Sequence, residues 1–469
     1  MAIDEFEMSG EAKQAITDAG YGIYGGMDAL IKTWNAWYEA SDDFYTDHYY
    51  ARNEKGDPIK KPRPRYTVHP AKRVCREYAS LMLTEDTKVS VEGKHANAWL
   101  QAYLAENNFW PNGQNLIERA FSVGTGSWVL DFDIKDADED SMIRLQRYDA
   151  RGFKPLSYDA EGITECAVAT RMSCKGKQVE RLTLYVIEGG TYHVKTMLFS
   201  KGERLTPEDY GYMSDFDTRS ARKPFGVVRP AIENTAADLC PYGMSIFADA
   251  LSAIKAVDLA FDSLFQEVDL TAVKVFMDEE LIDVRSQDGK LVPLSRTDQQ
   301  VFRAVDGANA SKKIDVFSPD IRTAQLKDAL DIALAELGEI CGFGQNYFTL
   351  DKAGGLKTAT EVVADNGALM RNVRKHENIV RGAIQDVVGA LLENARIHCG
   401  AQIEESFGAV SVEFDDSVIT DTQTAKAQML AEIAAGVVPK WMYLKEYMGM
   451  SEEEAKAALP QEPALELGF

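Results

Sequence analysis

Residues 245–268 read SIFADALSAIKAVDLAFDSLFQEV. Phe247, Ile254, Phe261 and Val268 recur at every seventh position, with Leu251, Val257 and Leu264 between them. These intervals put the apolar side chains on one stripe of a helix with a polar back. A stripe of that length needs an apolar partner along it. A second such segment lies downstream. Ser318 and Pro319 offer a cap and a first-turn proline. Leu326, Leu330, Leu334, Leu337 and Ile340 then follow at helical spacing up to Gly342 and Gly344. Between the two stripes, Leu270 to Pro319 breaks into short strand-like pieces, TAVKVFM, KLVPL, QQVFRAV and KKIDVF, around an Asp288-Gly289 turn.

Past the second stripe, Gln345 to Leu356 (QNYFTLDKAGGL) has no period and two adjacent glycines, which predicts a mobile loop. Thr358 and Glu361 fit a capping box. The helix they open can run to His398, about 40 residues or roughly 60 Å. A helix that long acts as a spine. One strand, VSVEF at 411–415, and short helices at about 422–435, 439–448 and 452–459 close the chain.

Upstream the pattern is α+β. Residues 71–83, 96–107 and 112–123 read as helices. SWVLDFDI (127–134) and MIRLQRY (142–148) alternate apolar and polar residues, as a hairpin with one buried face does. Strands at 167–172, 181–187 and 191–199 follow, and this sheet-containing region ends near Arg229-Pro230. The first 60 residues are rich in aromatic side chains and read as helix and loop packed on something else.

The chain has 469 residues and a formal net charge of −23, with 45% apolar residues. That composition builds a core and excludes global disorder. The longest charge-free stretches, such as Ala120 to Leu130, are too short for a membrane helix. The opening MAIDEFEMSGEAK is acidic and polar, unlike a signal peptide. The acidity argues against a protein that grips nucleic acid chiefly by neutralising phosphates. Six scattered cysteines and six scattered histidines form no zinc spacing, so reduced thiols and no metal or other cofactor are expected.

The motifs of catalysis fail one by one. Gly20-x-Gly22-x-x-Gly25 follows a polar stretch, not an apolar strand, and reads as a turn. No Gly-Lys pair continues as a Walker A loop, and G-x-S-x-G and H-E-x-x-H are absent. The acidic run Asp131, Asp133, Asp136, Asp138 and Asp140 lacks the glycine and glutamate of a calcium loop. It reads as a solvated hairpin tip or, alternatively, as the carboxylates of a metal-dependent nuclease with Lys135 nearby. The basic run Lys60, Lys61, Arg63, Arg65, Lys72, Arg73 and Arg76 contains no acid. It reads as an exposed arm or as a surface for nucleic acid or a partner protein.

The order of parts, with YGMSIFADALSAIKAVDLAFDSL (242–264), SPDIRTAQLKDALDIALAELGEICGFG (318–344), GLKTATEVVADNGALMRNVRKHE (355–377) and AGVVPKWMYLKEYMGMSEEEAKAAL (435–459), resembles the siphovirus-type portal proteins of tailed bacteriophages. Lys357-Thr-Ala-Thr-Glu-Val362 is the most specific piece. The resemblance implies an α+β subunit that is not an enzyme. Its parts are a wing at 1–240, a first stem helix at 241–269, a β-containing clip at 270–318 and a second stem helix at 319–342. A tunnel loop at 343–357, a long spine helix with a returning wing strand at 358–415 and a short helical crown at 416–469 follow.

The same resemblance implies a ring of about twelve copies at one capsid vertex of the virion, assembled in the host cytoplasm. Viral double-stranded DNA passes through it, driven in by the terminase large subunit and later ejected. The major capsid protein and a head–tail adaptor protein attach to it, and no membrane is involved. Gln345, Asn346, Tyr347, Phe348, Lys352 and Lys357 become the tunnel-loop candidates for DNA contact, with Tyr347 and Phe348 equally suited to packing on the next subunit's loop. Phe247, Leu251, Ile254, Val257, Phe261, Leu264, Leu330, Leu334 and Leu337 become the subunit-packing faces of the stem. Two other classes stay open on the residues alone: the nuclease, and a non-channel capsid or scaffold subunit.

Overall fold

The computed structural model describes residues 8–52, 58–133, 142–174, 176–271, 274–278, 301–304, 314–317, 320–350, 359–414, 422–448 and 452–459. Helix α1 (Gly10–Asp18) starts on Ser9, whose hydroxyl accepts from the Ala12 amide at 3.2 Å. Helix α2 (Asp28–Glu39) turns Ile31, Trp34, Trp37 and Tyr38 inward. Strands β1 (Thr46–Arg52) and β2 (Pro58–Pro64) pair as an antiparallel ribbon that joins no other strand among the described residues. A two-stranded ribbon leaves each strand a free edge, which is where Pro58, Pro62 and Pro64 are tolerated.

Helix α3 (Pro70–Met82), strand β3 (Lys88–Ser90), helix α4 (Lys94–Glu106) and helix α5 (Phe109–Val123) follow. Strands β4 (Gly126–Asp133) and β5 (Met142–Asp149) form the hairpin that their alternation predicts, from Gly126 opposite Asp149 to Asp133 opposite Met142. Its acidic connection, 134–141, lies outside the described residues.

Strands β6 (Phe153–Tyr158), β7 (Ile163–Cys174), β8 (Lys177–Glu188) and β9 (Thr191–Ser200) form a meander. Strands β10 (Glu203–Leu205) and β11 (Asp215–Asp217) share the outer edge of β9. Both faces of this sheet are covered. Leu182, Leu184 and Val186 of β8 meet Ala12 and Ile16 of α1, while Tyr185 points to the other side, beside Val129 and Phe225. The strand is therefore buried without a break from 179 to 186. Strand β12 (Phe225–Val228) pairs with β4.

The segment before the first striped helix departs from the sequence reading. Helix α6 (Leu251–Leu270) begins six residues later than position 245. Residues 243–247 are tied instead to the end of α5: the Gly243 amide donates to Thr125 Oγ1 at 2.9 Å and the Ile246 amide to the Phe121 carbonyl at 3.0 Å. Gly124 and Gly243 touch so closely that a Cβ on Gly124 would lie 2.3 Å from the Gly243 carbonyl oxygen. Tertiary contact overrides helix propensity there.

Strand β13 (Lys274–Asp278) lies between β14 (Val301–Ala304), to which it is parallel, and β15 (Ile314–Phe317), to which it is antiparallel. KLVPL, the Asp288-Gly289 turn, Ser318 and Pro319 lie outside the described residues. Helix α7 (Thr323–Ile340) starts after Arg322 and not at Pro319. Arg322 makes a two-pronged pair with Glu267 of α6, at 2.9 and 2.8 Å, which fixes the entry to the helix. Helix α7 packs along α6.

Helix α8 (Ala359–His398) is a single 40-residue helix. Val380, Ala383, Ile384, Val387 and Leu391 join it to the main core, which also holds α2, α3, α5 and the inner faces of α6 and α7. It crosses β12 at backbone distance: a Cβ on Gly226 would sit 2.0 Å from the Ala383 carbonyl oxygen. Strand β16 (Ser411–Glu413) returns to pair with β3. Helices α9 (Thr422–Ala434), α10 (Lys440–Met448) and α11 (Glu452–Ala457) follow.

Candidate interface and channel surfaces

The α6–α7 pair corrects the reading of its stripes. Phe247, Ile254, Val257, Leu330, Leu334 and Leu337 are all buried in the chain's own core, and Leu251, Phe261 and Leu264 are half-buried. The six buried side chains have their apolar partners within the chain and are not a free face awaiting another subunit. Periodicity shows that a helix face needs an apolar partner and is silent on which chain supplies it. The apolar side chains left on the surface are Leu259, Phe265 and Val268 on α6, and Ile332 (70% exposed) and Ile340 on α7; of these, Val268 and Ile340 are the far ends of the two stripes.

The basic run divides into three parts. Lys60 and Lys61 are exposed on the β1–β2 ribbon, near the exposed rings of Tyr49 and Tyr50. Arg63 and Arg65 turn inward. Arg63 donates to both carboxylate oxygens of Asp262, at 2.9 and 2.6 Å, and to Asp47 at 3.1 Å. Arg65 donates through Nε to the Phe44 carbonyl at 2.8 Å and lies over the Phe44 ring. These two arginines anchor the ribbon to α6 and are not part of a binding surface.

Asp258, one turn before Asp262, accepts from the Val68 amide and the Tyr45 hydroxyl, both at 3.0 Å. Burial raises the Asp258 carboxyl above the usual carboxylate range. Burial acts the same way on Asp262, but the Arg63 guanidinium outweighs it and holds that carboxyl low. Two acids at i and i+4 beside an apolar stripe were a signal in the sequence for internal partners.

Lys72, Arg73 and Arg76 form the third part. They line a cleft of about 730 Å³ with Tyr38, Glu39, Val68, His69, Glu77 and Arg119. Lys72 lies over the Tyr38 ring and Arg73 over the Phe348 ring. Among the described residues none of Lys72, Arg73 and Arg76 has a carboxylate within salt-bridge distance.

The turn that leaves α7 is fixed from two sides. The Tyr78 hydroxyl of α3 donates to the Cys341 carbonyl at 2.7 Å, and the Asn372 amide of α8 donates to the Gly342 carbonyl at 2.9 Å. Gly342 has φ +81°, and a Cβ there would also meet Asn372 at 2.5 Å. Of the tunnel-loop candidates, Gln345 and Asn346 are exposed. Phe348 is buried among Phe343, Tyr347 and Arg73. Tyr347 is half-buried and donates to Glu77 at 2.8 Å. Phe348 therefore has its apolar partners within the chain and presents no ring to DNA or to a neighbour's loop. Lys352 and Lys357 lie outside the described residues.

The acidic run offers no converging carboxylates among the described residues. Asp131 is held by buried Arg181 at 3.1 and 3.0 Å, and Asp133 by Arg144 at 3.4 Å. Asp136, Asp138 and Asp140 lie outside the described residues. The one group with metal-ligand proximity among the described residues is Glu188, His193 and Asp215, whose donor atoms lie within 4.8 Å of one another. The Lys195 ammonium already occupies the Glu188 carboxylate.

Residues 29–463 match the family described as "Phage portal protein, SPP1 Gp6-like". The chain belongs to this portal family. That makes it a phage portal protein, a head–tail connector of the virion built as a structural channel and not as an enzyme. No curated protein sequence matches the portal chain. Among solved structures it is similar, at 13% identity and a TM-score of 0.41, to a chain of the "Neck of native GTA particle computed with C12 symmetry". The match covers 96% of the portal chain and 99% of that chain. No helix among the described residues of the portal is long and apolar enough to cross a membrane.

Proposed function

We propose that the chain assembles into a closed ring of about twelve copies at one capsid vertex and that viral double-stranded DNA passes through its centre. The family match over 29–463 carries this reading. In it, α6 and α7 are the stem, the strands between them the clip, 343–357 the tunnel loop, α8 the spine and 416–469 the crown. The exposed Leu259, Phe265, Val268, Ile332 and Ile340 fit a stem that is completed by neighbouring copies. The terminase large subunit docks on the clip during packaging, and a head–tail adaptor replaces it. The major capsid protein surrounds the wing. Assembly takes place in the host cytoplasm.

The charge suits passage better than grip. A bore lined mainly by acids does not neutralise phosphates and so does not hold DNA in place. Gln345 and Asn346, with Lys352 and Lys357, are the polar and basic points left for transient contact. Replacing both lysines by glutamate is expected to leave ring assembly intact and to lower the amount of DNase-protected DNA in heads. Unchanged packaging in that variant contradicts the tunnel-loop assignment. DNA-filled heads made without the chain contradict the channel role itself.

A further inference from the structure

We propose that the cleft of Lys72, Arg73 and Arg76 is a receptor for an acidic ridge on α7 of a second copy of this chain; the inference rests on the ring reading above. Lys72, Arg73 and Arg76 have no carboxylate partner among the described residues, whereas Arg119 in the same cleft pairs with Glu39 and Asp149; the wall also includes Tyr38 and Val68. At the start of α3, the cap His69 and Lys72, Arg73 and Arg76 fall within eight residues, a span of roughly 10 Å. The net charge of −23 makes another copy of the same chain an abundant source of carboxylates.

The complementary element is on the page. Asp328, Ile332 and Glu336 are exposed at i, i+4 and i+8 on α7, with Glu339 continuing the ridge. Asp328 and Glu336 lie roughly 12 Å apart along the axis. Among the described residues neither has a salt-bridge partner. Between them stands Ile332, 70% exposed. The order acid, isoleucine, acid mirrors cations flanking an aromatic and aliphatic wall. A cleft on one face that takes a ridge from another face is a heterologous contact, the kind that closes rings. Opposed charge at such a contact selects the partner and its register.

The test uses the full chain and charge reversal. Variant one is Arg73→Glu with Arg76→Glu; variant two is Asp328→Lys with Glu336→Lys. All four side chains are exposed, and unchanged thermal melting of each variant confirms folding. Each variant alone is expected to lose closed rings at least tenfold by native mass spectrometry. Their equimolar mixture, and the chain carrying all four changes, are expected to recover rings, because every cleft then faces a ridge of opposite charge. The inference is overturned if variant one forms rings like the unaltered chain, or if folded variants lose rings that neither mixture nor quadruple variant restores. Rings retained with reduced DNA retention would assign the cleft to phosphate instead and also overturn it. Failure of the unaltered chain to form rings counts against the ring reading, so the two failures are distinguishable.

Discussion

Arg63 of the β1–β2 ribbon grips both oxygens of Asp262, a carboxylate fully buried on α6, at 2.9 and 2.6 Å. The basic run therefore supplies an internal clamp before it supplies any surface. Removing Arg63 leaves the buried Asp262 carboxylate with only Arg65, at 3.7 Å, and removing Asp262 leaves Arg63 with Asp47 at 3.1 Å, so each loss is partly compensated. Arg63 is a quarter exposed, so the penalty is discounted. Arg63→Ala or Asp262→Ala is expected to lower stability by roughly 2–4 kcal/mol in urea denaturation, and the double variant by less than the sum.

A backbone contact gives a second expectation. Gly226 of β12 leaves no room for a methyl group against the Ala383 carbonyl of α8, 2.0 Å from the Cβ position. β12 is held by its pairing with β4 and α8 by its own helical hydrogen bonds. Gly226→Ala is expected to cost about 3 kcal/mol or to abolish soluble expression. A midpoint unchanged in denaturant contradicts the close approach.

Phe348 separates a core role from a channel role. Its ring is 2% exposed and packs with Phe343 and Tyr347. Phe348→Ala is expected to destabilise the chain by roughly 3–5 kcal/mol, as a core phenylalanine does. A variant of unaltered stability that packages less DNA contradicts this placement.

His376 supplies a pH dependence. Its Nδ1 accepts the Ala231 amide at 2.8 Å, and its ring lies between Tyr78 and Phe121. Burial, reinforced by the charge of Lys375, pushes its pKa down to about 4. The unfolded chain binds a proton below about pH 6.5. The folded chain resists it until about pH 4, so this stabilisation is complete above pH 6.5 and declines as pH falls between the two values. The loss approaches roughly 3 kcal/mol at the lower end. Denaturation midpoints from pH 7.5 to 4.5 check this, and His376→Asn is expected to flatten the His376 share of the slope.

Elements with strong periodicity were legible in the sequence. The 40-residue α8, the β4–β5 hairpin and the helical stripes rest on local pattern alone. Three features were not. The start of α6 is set by Gly124 meeting Gly243, a contact between distant parts of the chain. The partner of the α6 stripe is α7 and the core around α3 and α8, a choice that period cannot encode. Arg63 and Arg65 look like neighbours of Lys60 and Lys61 in sequence, yet one buried acid on α6, Asp262, draws them inward. Which apolar side chains remain exposed, Ile332 above all, follows from how α6 and α7 pack and not from their period.

The central claim is the closed ring, and the size and shape of the purified 52.0 kDa chain test it most directly. Native mass spectrometry together with electron-microscopy class averages is expected to show closed rings of about twelve copies around a central hole. A stable monomer, or open sheets and shells without a hole, contradicts the account.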